Sequence, residues 1–330
     1  MIISCSNSIE TEEEKTIIEE SKWINVEAPY PSGSDGLFPF LKNPIYKSVG
    51  DFTNLKDTDK VAIVSYQNKI KVYPYLYTNR YEIVNDSIGD YFYAVSYCPQ
   101  TKSAINFDRI TQNDTLDLVA SGYLYKDNMV PSDKDYNLYW SQMLQKGITN
   151  GAVSKNLQTL NLIQTNWKTV VDYFPTAKVF YYEGDIITPK KQSQNLASKT
   201  SSEISNADAV FSIIEHFGAT AKEETVHAYN IKSFTEEISL QELIIDSKKT
   251  LLVGSKKHHF FTTLIIPTGL IFHLENSNFP PTLIDNEGTK WNAFGYAYEG
   301  PREGTQLASA KSYTASWWAW KDFFKNIEIK

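Results

Sequence analysis

Cysteine is scarce in this chain, which has only Cys5 and Cys98 among 330 residues. Two cysteines cannot build a disulfide framework, so stability has to come from packing. No run approaches the roughly 20 consecutive apolar residues that a membrane-spanning helix needs. Lys and Arg form no cluster, and the formal net charge is −7. This charge pattern does not suit a phosphate backbone, so nucleic acid is excluded as an expected partner.

The familiar cofactor and metal motifs are also missing. The sequence contains no Gly-x-Gly-x-x-Gly, Walker loop, Gly-x-Ser-x-Gly or His-Glu-x-x-His segment, which disfavours the common cofactor folds. His258 and His259 are adjacent, and neighbouring side chains in a strand point to opposite faces, so the pair is not expected to bind one ion. We therefore predict no cofactor and no metal site.

Aromatic residues, by contrast, are abundant, with 21 Tyr, 17 Phe and 7 Trp. Aromatic and β-branched residues favour a pleated, half-buried surface. Residues 61–66 and 69–73 flank Gln67-Asn68, which predicts a hairpin, and residues 91–97 and 103–107 predict a second pair of strands. The alternative use of the aromatic residues is a platform that binds sugars or another flat ligand.

One segment has helical periodicity. Trp167, Val170, Val171 and Phe174 recur at the spacing that places them on one helical face. Thr165 is a predicted N-cap, and the Pro that follows Phe174 ends the run.

The order of such segments repeats at a separation of about 150 residues, as when Trp167-Lys168 is matched with Trp320-Lys321. Shared order with drifting offsets is typical of duplication followed by loop insertion. We predict an α+β, β-dominated fold made of two related copies of a mostly antiparallel sheet unit, each with a late amphipathic helix. The predicted regions are residues 1–27 (start and acidic tether), 28–188 (first copy), 189–206 (polar linker) and 207–330 (second copy).

The first residues, Met1-Ile2-Ile3-Ser4-Cys5, resemble the end of a bacterial lipoprotein signal, in which Cys5 becomes the acylated residue. Residues 6–22 are acidic and polar, as expected of a solvated spacer. This pattern predicts a lipid-anchored protein of the cell envelope whose partner is the membrane surface. The alternative is a chance cysteine in a mobile terminus.

Seven segments follow the pattern of one family in order: residues 43–44, 72–74, 82–86, 97–99, 104–109, 121–125 and 138–142. The pattern resembles domain-of-unknown-function family 3179, whose members read HEIVND, YCPLCGTA, SGLLY and LWSQ. The resemblance is strong over residues 34–185 and weaker over 205–330. It implies a fold and a candidate site but no activity.

Two departures from the family pattern bear on that site. Tyr81 stands where the family has His, and Thr101 stands where it has a second Cys. A redox pair or a soft-metal site needs a second thiolate or an imidazole as partner. A two-cysteine redox cycle within this motif is therefore excluded.

The candidate site residues are Cys98, Glu82, Tyr81 and Asp86. Cys98 is a nucleophile, a single metal ligand or a buried small hydrophobe at a strand end. An acidic, phenolic neighbourhood favours the last interpretation because it raises the pKa of a thiol. Asn85 and Asp86 are typical of a turn, and Glu82 stays open.

The cluster Trp317, Trp318 and Trp320 offers a second candidate site. Trp320 is expected in the core, and Trp318 is the predicted exposed member.

Three functions follow from the candidate residues of both sites: a non-catalytic binding or structural module with a degraded Cys/His site, an enzyme or metal-handling protein acting around Cys98, or a glycan-binding surface protein.

Overall fold

The computed structural model describes residues 23–24, 26–33, 38–111, 114–155, 157–184, 204–216, 224–276 and 278–330. Strands form 47% and helices 11% of the structure, in several mostly antiparallel sheets, which confirms the predicted β-dominated α+β class. Cys5, the acidic segment and most of the predicted linker lie outside the described residues. Within these ranges, no helix combines the length and hydropathy required to cross a bilayer.

The described strands before residue 185 are β1 (Tyr30–Pro31), β2 (Ile45–Ser48), β3 (Lys60–Tyr66), β4 (Lys69–Pro74), β5 (Ile83–Ile88), β6 (Tyr91–Cys98), β7 (Ser103–Asp108), β8 (Leu118–Tyr125), β9 (Asn128–Asp133), β10 (Trp140–Ser141), β11 (Lys146–Gly147), β12 (Thr159–Leu160), β13 (Ile163–Asn166) and β14 (Lys178–Tyr181).

The described strands after residue 203 are β15 (Ala209–His216), β16 (Glu224–Asn230), β17 (Ser239–Ile245), β18 (Lys248–Ser255), β19 (Phe260–Ile265), β20 (Phe272–Leu274), β21 (Leu283–Asp285), β22 (Lys290–Trp291), β23 (Ala297–Glu299), β24 (Ser312–Ser316) and β25 (Asn326–Ile329). The α-helices are α1 (Tyr75–Thr78), α2 (Asn150–Ser154), α3 (Trp167–Tyr173) and α4 (Trp317–Phe323), and short 3-10 turns cover Val49–Asp51 and Ile231–Ser233.

Local sequence explains the first hairpin. Gln67 and Asn68 have φ of 46° and 62°, the left-handed pair that a two-residue hairpin turn requires. Tyr66 pairs with Lys69 across the turn. The predicted hairpin is confirmed.

The predicted helix is present as α3, with two corrections. Thr165 belongs to β13 and Asn166 is the residue at the N-cap. Val171 is 43% exposed, whereas Trp167 and Val170 are buried. At about 100° per residue, Val171 lies at the edge of the apolar arc, so a helix of two turns packed on a sheet leaves it in solvent.

Two sheets share one strand order. The sheet β13-β3-β4-β14-β2 has α3 between β13 and β14, and the sheet β24-β15-β16-β25 has α4 between β24 and β25. In both, the first three strands pair antiparallel and the fourth joins parallel. The duplication of the sequence itself stays a prediction.

The structure changes one of the matches between the halves. The N–H of Trp167 donates to Asp59 O at 2.8 Å, and the N–H of Trp317 donates to Asp208 O at 2.9 Å. In each sheet, this bond joins the first residue of the helix to the residue that precedes the second strand, β3 or β15. Trp167 therefore corresponds to Trp317, and Trp320 occupies the helical position of Val170.

Each half also has a three-stranded meander, β5-β6-β7 and β17-β18-β19. The turn at 99–102 follows β6, and the turn at 256–259 follows β18. His258 and His259 therefore lie in a turn and not in a strand, because the register Ser255↔Phe260 leaves four residues unpaired.

The two turns are held by the opposite halves of the chain. The N–H of Ser316 in β24 donates to Thr101 O at 2.8 Å. The hydroxyl of Thr165 in β13 donates to His258 O at 2.6 Å. The halves also share hydrophobic clusters, one containing Val61 with Phe260 and another containing Cys98 with Trp320.

Candidate functional site

The sheet β5-β6-β7 separates the sequence-predicted site residues onto two faces. Side chains alternate along a strand, so Val84 and Tyr93 point into one hydrophobic cluster while Ile83 and Cys98 point into the other. Asp86 follows the parity of Val84. Asp86 therefore lies on the face opposite Cys98. Glu82 precedes β5 and has a left-handed backbone, so the alternation does not apply to it, and its carboxyl interacts with the Cys98 thiol.

Cys98 is the last residue of β6 and is 1% exposed. Burial raises the pKa of its thiol, and the nearby Glu82 raises it further. Hydrogen bonds from the Thr101 side chain and from the backbone N–H groups of Thr101 and Met129 act in the opposite direction. These donors are neutral, and a thiolate is normally stabilised by a cation, an imidazole or a helix N-terminus.

Glu82 lies in the left-handed region of backbone conformation, with φ of 54°. Its N–H donates to Thr78 O, and its carbonyl accepts from the N–H of Tyr97, both at 2.8 Å. The residue as a whole is half-buried, but burial of the carboxyl raises its pKa to about 8. The group is therefore mainly a neutral acid at pH 7, next to a neutral thiol.

A closed network of neutral polar side chains surrounds the turn at Thr101. Gln142 is its centre, because its Oε1 accepts from Ser103 at 2.8 Å and from Asn128 at 2.7 Å, while its Nε2 donates to Ser96 at 2.8 Å. Asn128 also donates to the Thr101 hydroxyl at 2.9 Å. All five side chains are at most 1% exposed.

Thr101 occupies the family position of the second cysteine and replaces its chemistry with a hydroxyl. The hydroxyl bonds to Cys98, Ser103 and Asn128. A hydroxyl both donates and accepts, so Thr101 connects the thiol to the network. Neither a disulfide nor a two-thiolate metal site can form at this turn.

Asp86 is 3% exposed and accepts hydrogen bonds from a cation and three phenols. Lys71 Nζ lies 2.9 Å from both carboxylate oxygens. Tyr73 donates at 2.5 Å, Tyr93 at 3.3 Å, and Tyr46 donates at short range. Burial raises the pKa of all three tyrosines well above their ordinary value, with a contribution from Asp86.

The predicted turn at Asn85 and Asp86 is wrong, because both residues lie inside β5. Asn85 is fully buried, and its side chain forms hydrogen bonds with backbone groups of two other segments. Its Nδ2 donates to the carbonyls of Leu41 and Leu118, and its Oδ1 accepts from the N–H of Leu118 at 2.8 Å. The side chain therefore joins three segments of backbone.

Tyr81 belongs to the cluster on the Asp86 side of the sheet. Its ring packs edge-on against Phe180 and Tyr182, at centroid distances of 6.2 and 5.7 Å. Burial raises the pKa of its phenol. The residue at the family's His position thus packs among aromatic rings here.

The histidines do not assemble a metal centre in the part of the chain that the structure describes, where no three His, Cys, Asp or Glu side chains are suitably grouped. His216 Nε2 lies 2.6 Å from Glu224 Oε1, and His227 Nε2 lies 2.7 Å from Glu215 Oε2. The other ring nitrogen of each histidine faces a second carboxylate, at 3.9 Å from Asp246 and 3.4 Å from Glu328.

The tryptophan cluster does not form an exposed platform. Trp317, Trp318 and Trp320 are 3%, 7% and 0% exposed. The prediction that Trp318 is exposed is wrong, because α4 is covered on more than one face by the shared core. Trp320 stacks on Tyr313 at 4.4 Å.

Sequence reasoning missed the network residues Ser96, Ser103, Asn128 and Gln142. Gln142 could have been identified, because it is the last residue of the family segment at residues 138–142. A Gln within an otherwise apolar, aromatic segment indicates a buried polar contact that needs partners. The partners come from three other strands, so no local pattern identifies them.

These features define a β-dominated α+β protein with a buried thiol–carboxyl pair enclosed by neutral polar groups. A family described as a protein of unknown function (DUF3179) matches residues 35–327. The chain belongs to this family. No curated protein and no solved structure matches the chain.

Proposed function

We propose that the protein is a non-catalytic binding or structural module of the cell envelope, anchored through a lipid on Cys5, in which the Cys98 site is a structural part of the core. One observation carries the proposal. Cys98 is 1% exposed, and among the described residues the hydrogen-bond donors to its sulfur are neutral, so the thiol is shielded from substrates and has no cation there to activate it.

The energetics of the site support this role. A closed polar network in a core is stabilising only when every member has a partner, and it then fixes one packing arrangement. Gln142, Asn128 and Thr101 each make two or more hydrogen bonds inside the network. Such a network specifies how the turn at 99–102 packs against β24.

Thiol accessibility tests the structural role of Cys98. In a Cys5→Ala variant, Cys98 is the only thiol, and its alkylation by iodoacetamide can be followed by intact mass. We expect slow reaction in buffer and an increase of at least about 100-fold in urea, because only a minor open state exposes the thiol. Rapid, stoichiometric alkylation of the folded protein would overturn the proposal.

The proposed anchor rests on the sequence around Cys5 and on the place where the spacer joins the fold. Trp23, the first described residue, packs edge-on against Tyr123 at 5.8 Å and Tyr139 at 5.2 Å. A spacer of residues 6–22 thus leads from the lipid to a fixed aromatic attachment. Membrane fractions containing the wild type but not a Cys5→Ser variant support the anchor, and equal partitioning of both proteins refutes it.

The two-copy origin is part of the proposal. The shared strand order of the two helix-bearing sheets and the reciprocal contacts at Thr101 and His258 support it. A module of two such copies offers two related surfaces.

A second candidate is an enzyme or a metal-handling protein that acts at Cys98 and Glu82. The observation in its favour is the left-handed backbone of Glu82 together with a carboxyl pKa of about 8, since strain and shifted titration often mark active sites. A stoichiometric transition metal in purified protein, lost in the Cys98→Ser variant, would select this candidate.

A further inference from the structure

The place where the chain enters the fold is lined by aromatic rings. Trp23 packs edge-on against Tyr123 and Tyr139, whose rings lie 6.1 Å apart. The N–H of Ile24 donates to Ile148 O at 2.9 Å, and the N–H of Ile148 donates to Tyr139 O at 2.8 Å. The first described residues are therefore fixed beside the segments that lead into β10 and α2.

Three large apolar side chains near this attachment are exposed. Tyr136 is 48% exposed, Val153 is 50% exposed and Phe40 is 39% exposed. Trp23 itself is half-buried. Exposed apolar side chains that cluster on a folded protein mark a contact surface.

Printed contacts connect these side chains to the attachment. The phenol of Tyr136 interacts with that of Tyr139, which touches Trp23. Thr149, the N-cap of α2, accepts a hydrogen bond from the N–H of Tyr139 at 3.1 Å, and Val153 lies in that helix. Phe40 joins through Lys134, whose Nζ lies 5.5 Å from the Phe40 ring. We call Trp23, Phe40, Tyr136 and Val153 the entry face.

The turn at 134–137 keeps Tyr136 exposed at a conformational cost. Tyr136 has φ of 57°, in the left-handed region that Gly or Asn normally occupies and a bulky residue avoids. Its N–H donates to Asp133 O at 2.9 Å, and Asp133 Oδ1 accepts from the N–H groups of Asn137 and Leu138. Strained backbone of this kind often marks a functional contact.

The charges on the same segments decide the chemistry of the contact. On the turn and around α2, Lys134 and Lys155 are offset by Asp133 and Asp135. An electrostatic attraction to a charged surface is therefore not expected. Tyr, Trp and Phe rings with a neighbouring Lys suit the boundary between lipid headgroups and acyl chains.

The position of the spacer selects the bilayer as the occupant. The 17 residues between Cys5 and Trp23 reach at most about 60 Å, and a fold of this chain length is about 50 Å across. Turning the opposite side toward the bilayer would use most of that reach, whereas the side of Trp23 needs almost none. We propose that the entry face lies against the membrane surface; this inference rests on the proposed anchor at Cys5.

Footprinting of a tethered protein tests this orientation. The full chain with Cys5→Ala and an N-terminal hexahistidine tag is bound to phosphatidylcholine vesicles that contain a nickel-chelating lipid. Hydroxyl-radical oxidation, read by mass spectrometry, then reports side-chain exposure. We expect Phe40 and Tyr136 to react at least about threefold more slowly than in the free protein, because rings at the headgroup boundary leave water.

Ile271 is the internal control, since it is 48% exposed, as Tyr136 is. Its neighbours Leu270 and Phe272 belong to the cluster that contains Val61, whereas Trp23 packs against the cluster that contains Cys98. Its oxidation should not change on the vesicles.

Tyr136→Asn separates membrane contact from folding, because Asn accepts the left-handed backbone and removes only the ring. Its unfolding in urea should match the parent protein. Its apparent Kd for the nickel-chelating vesicles should be at least about fivefold higher, since the tether makes the contact of the ring intramolecular and its apolar area is lost. Ile271→Asn should bind as the parent does.

Equal oxidation of Phe40 and Tyr136 in the free and bound protein, equal protection of Ile271, or an unchanged Kd for Tyr136→Asn would each overturn the proposal. Protection in envelope membranes but not on vesicles would assign the face to a protein partner and would overturn it too. The tag holds the chain on the vesicle whether or not Cys5 is lipidated, so failure of the anchor and failure of the orientation appear in different experiments.

Discussion

Glu82 and Asp86 lie four residues apart, and the fold gives their carboxyl groups opposite surroundings. Asp86 accepts hydrogen bonds from Lys71 and three tyrosines. Burial of Glu82 raises its carboxyl pKa to about 8, with no opposing contribution from a partner. The two carboxyl groups thus differ in their surroundings, because Asp86 faces a cation and three phenols whereas burial dominates at Glu82.

The largest effect at neutral pH is expected from Asp86→Asn. The substitution leaves the Lys71 ammonium and the phenols of Tyr46 and Tyr73 without their anionic partner. Breaking a buried charge pair in this way costs about 3–5 kcal/mol. Urea denaturation measures the loss, with Asp90→Asn as an exposed control in the same hairpin. A loss below about 1 kcal/mol would mean that the pair is solvated.

Glu82→Gln probes the other carboxyl group through pH. The folded pKa of about 8 is above the unfolded value of 4.5, so the folded protein holds a proton that the unfolded chain releases. The contribution of Glu82 to the free energy of unfolding should be greatest below pH 4.5. It should decrease by about 1.4 kcal/mol for each pH unit between 4.5 and 8, and it should be fully lost above pH 8.

The variant should lack this decline and be more stable than the wild type at pH 9. Thermal denaturation between pH 5 and pH 9 measures the difference, with Glu303→Gln as an exposed control. Parallel pH profiles for the wild type and Glu82→Gln would show that the carboxyl is ionised in the folded protein.

Gln142→Met tests the neutral network around Cys98. The side chain keeps its size but removes one hydrogen bond each from Ser96, Ser103 and Asn128, which should cost about 2 kcal/mol in total. The matched control is Gln158→Met, at an exposed position. If both variants unfold at the same urea concentration, the network does not stabilise the core.

The smallest change in stability is expected from Thr101→Cys, which restores the family's second cysteine. Thr101 already touches the sulfur of Cys98 through its side chain, so oxidation should form a disulfide, visible by intact mass as the loss of two hydrogens. A loop this short stabilises by at most about 2 kcal/mol. Thr101→Ser is the matched control, and two free thiols after oxidation would show that the turn holds the side chains apart.

Sequence reasoning located the local elements well. The hairpin at Gln67-Asn68 and the strands that end at Cys98 depend on neighbouring residues, so alternation and turn chemistry were sufficient to predict them. It failed at Asn85 and Asp86, whose turn-forming preference is overridden by contacts with Leu118 and Lys71 from other parts of the chain.

The candidate site was predicted only in part. The grouping of Cys98 with Glu82 followed from the family pattern. The separation of Asp86 from Glu82 depends on where β5 begins, because the left-handed Glu82 lies just before the strand and does not follow its alternation. The burial of Trp318 depends on the contact between the halves, which no segment of sequence shows by itself.

The contact between Thr101 and Ser316 has a consequence for synthesis of the chain. The strand that secures the turn at 99–102 is made roughly 200 residues later, and pairings over such separations slow folding. Until β24 has been made, the turn lacks this hydrogen bond and the cover that the second half provides. Exposed apolar surface of this kind favours aggregation of partly made chains.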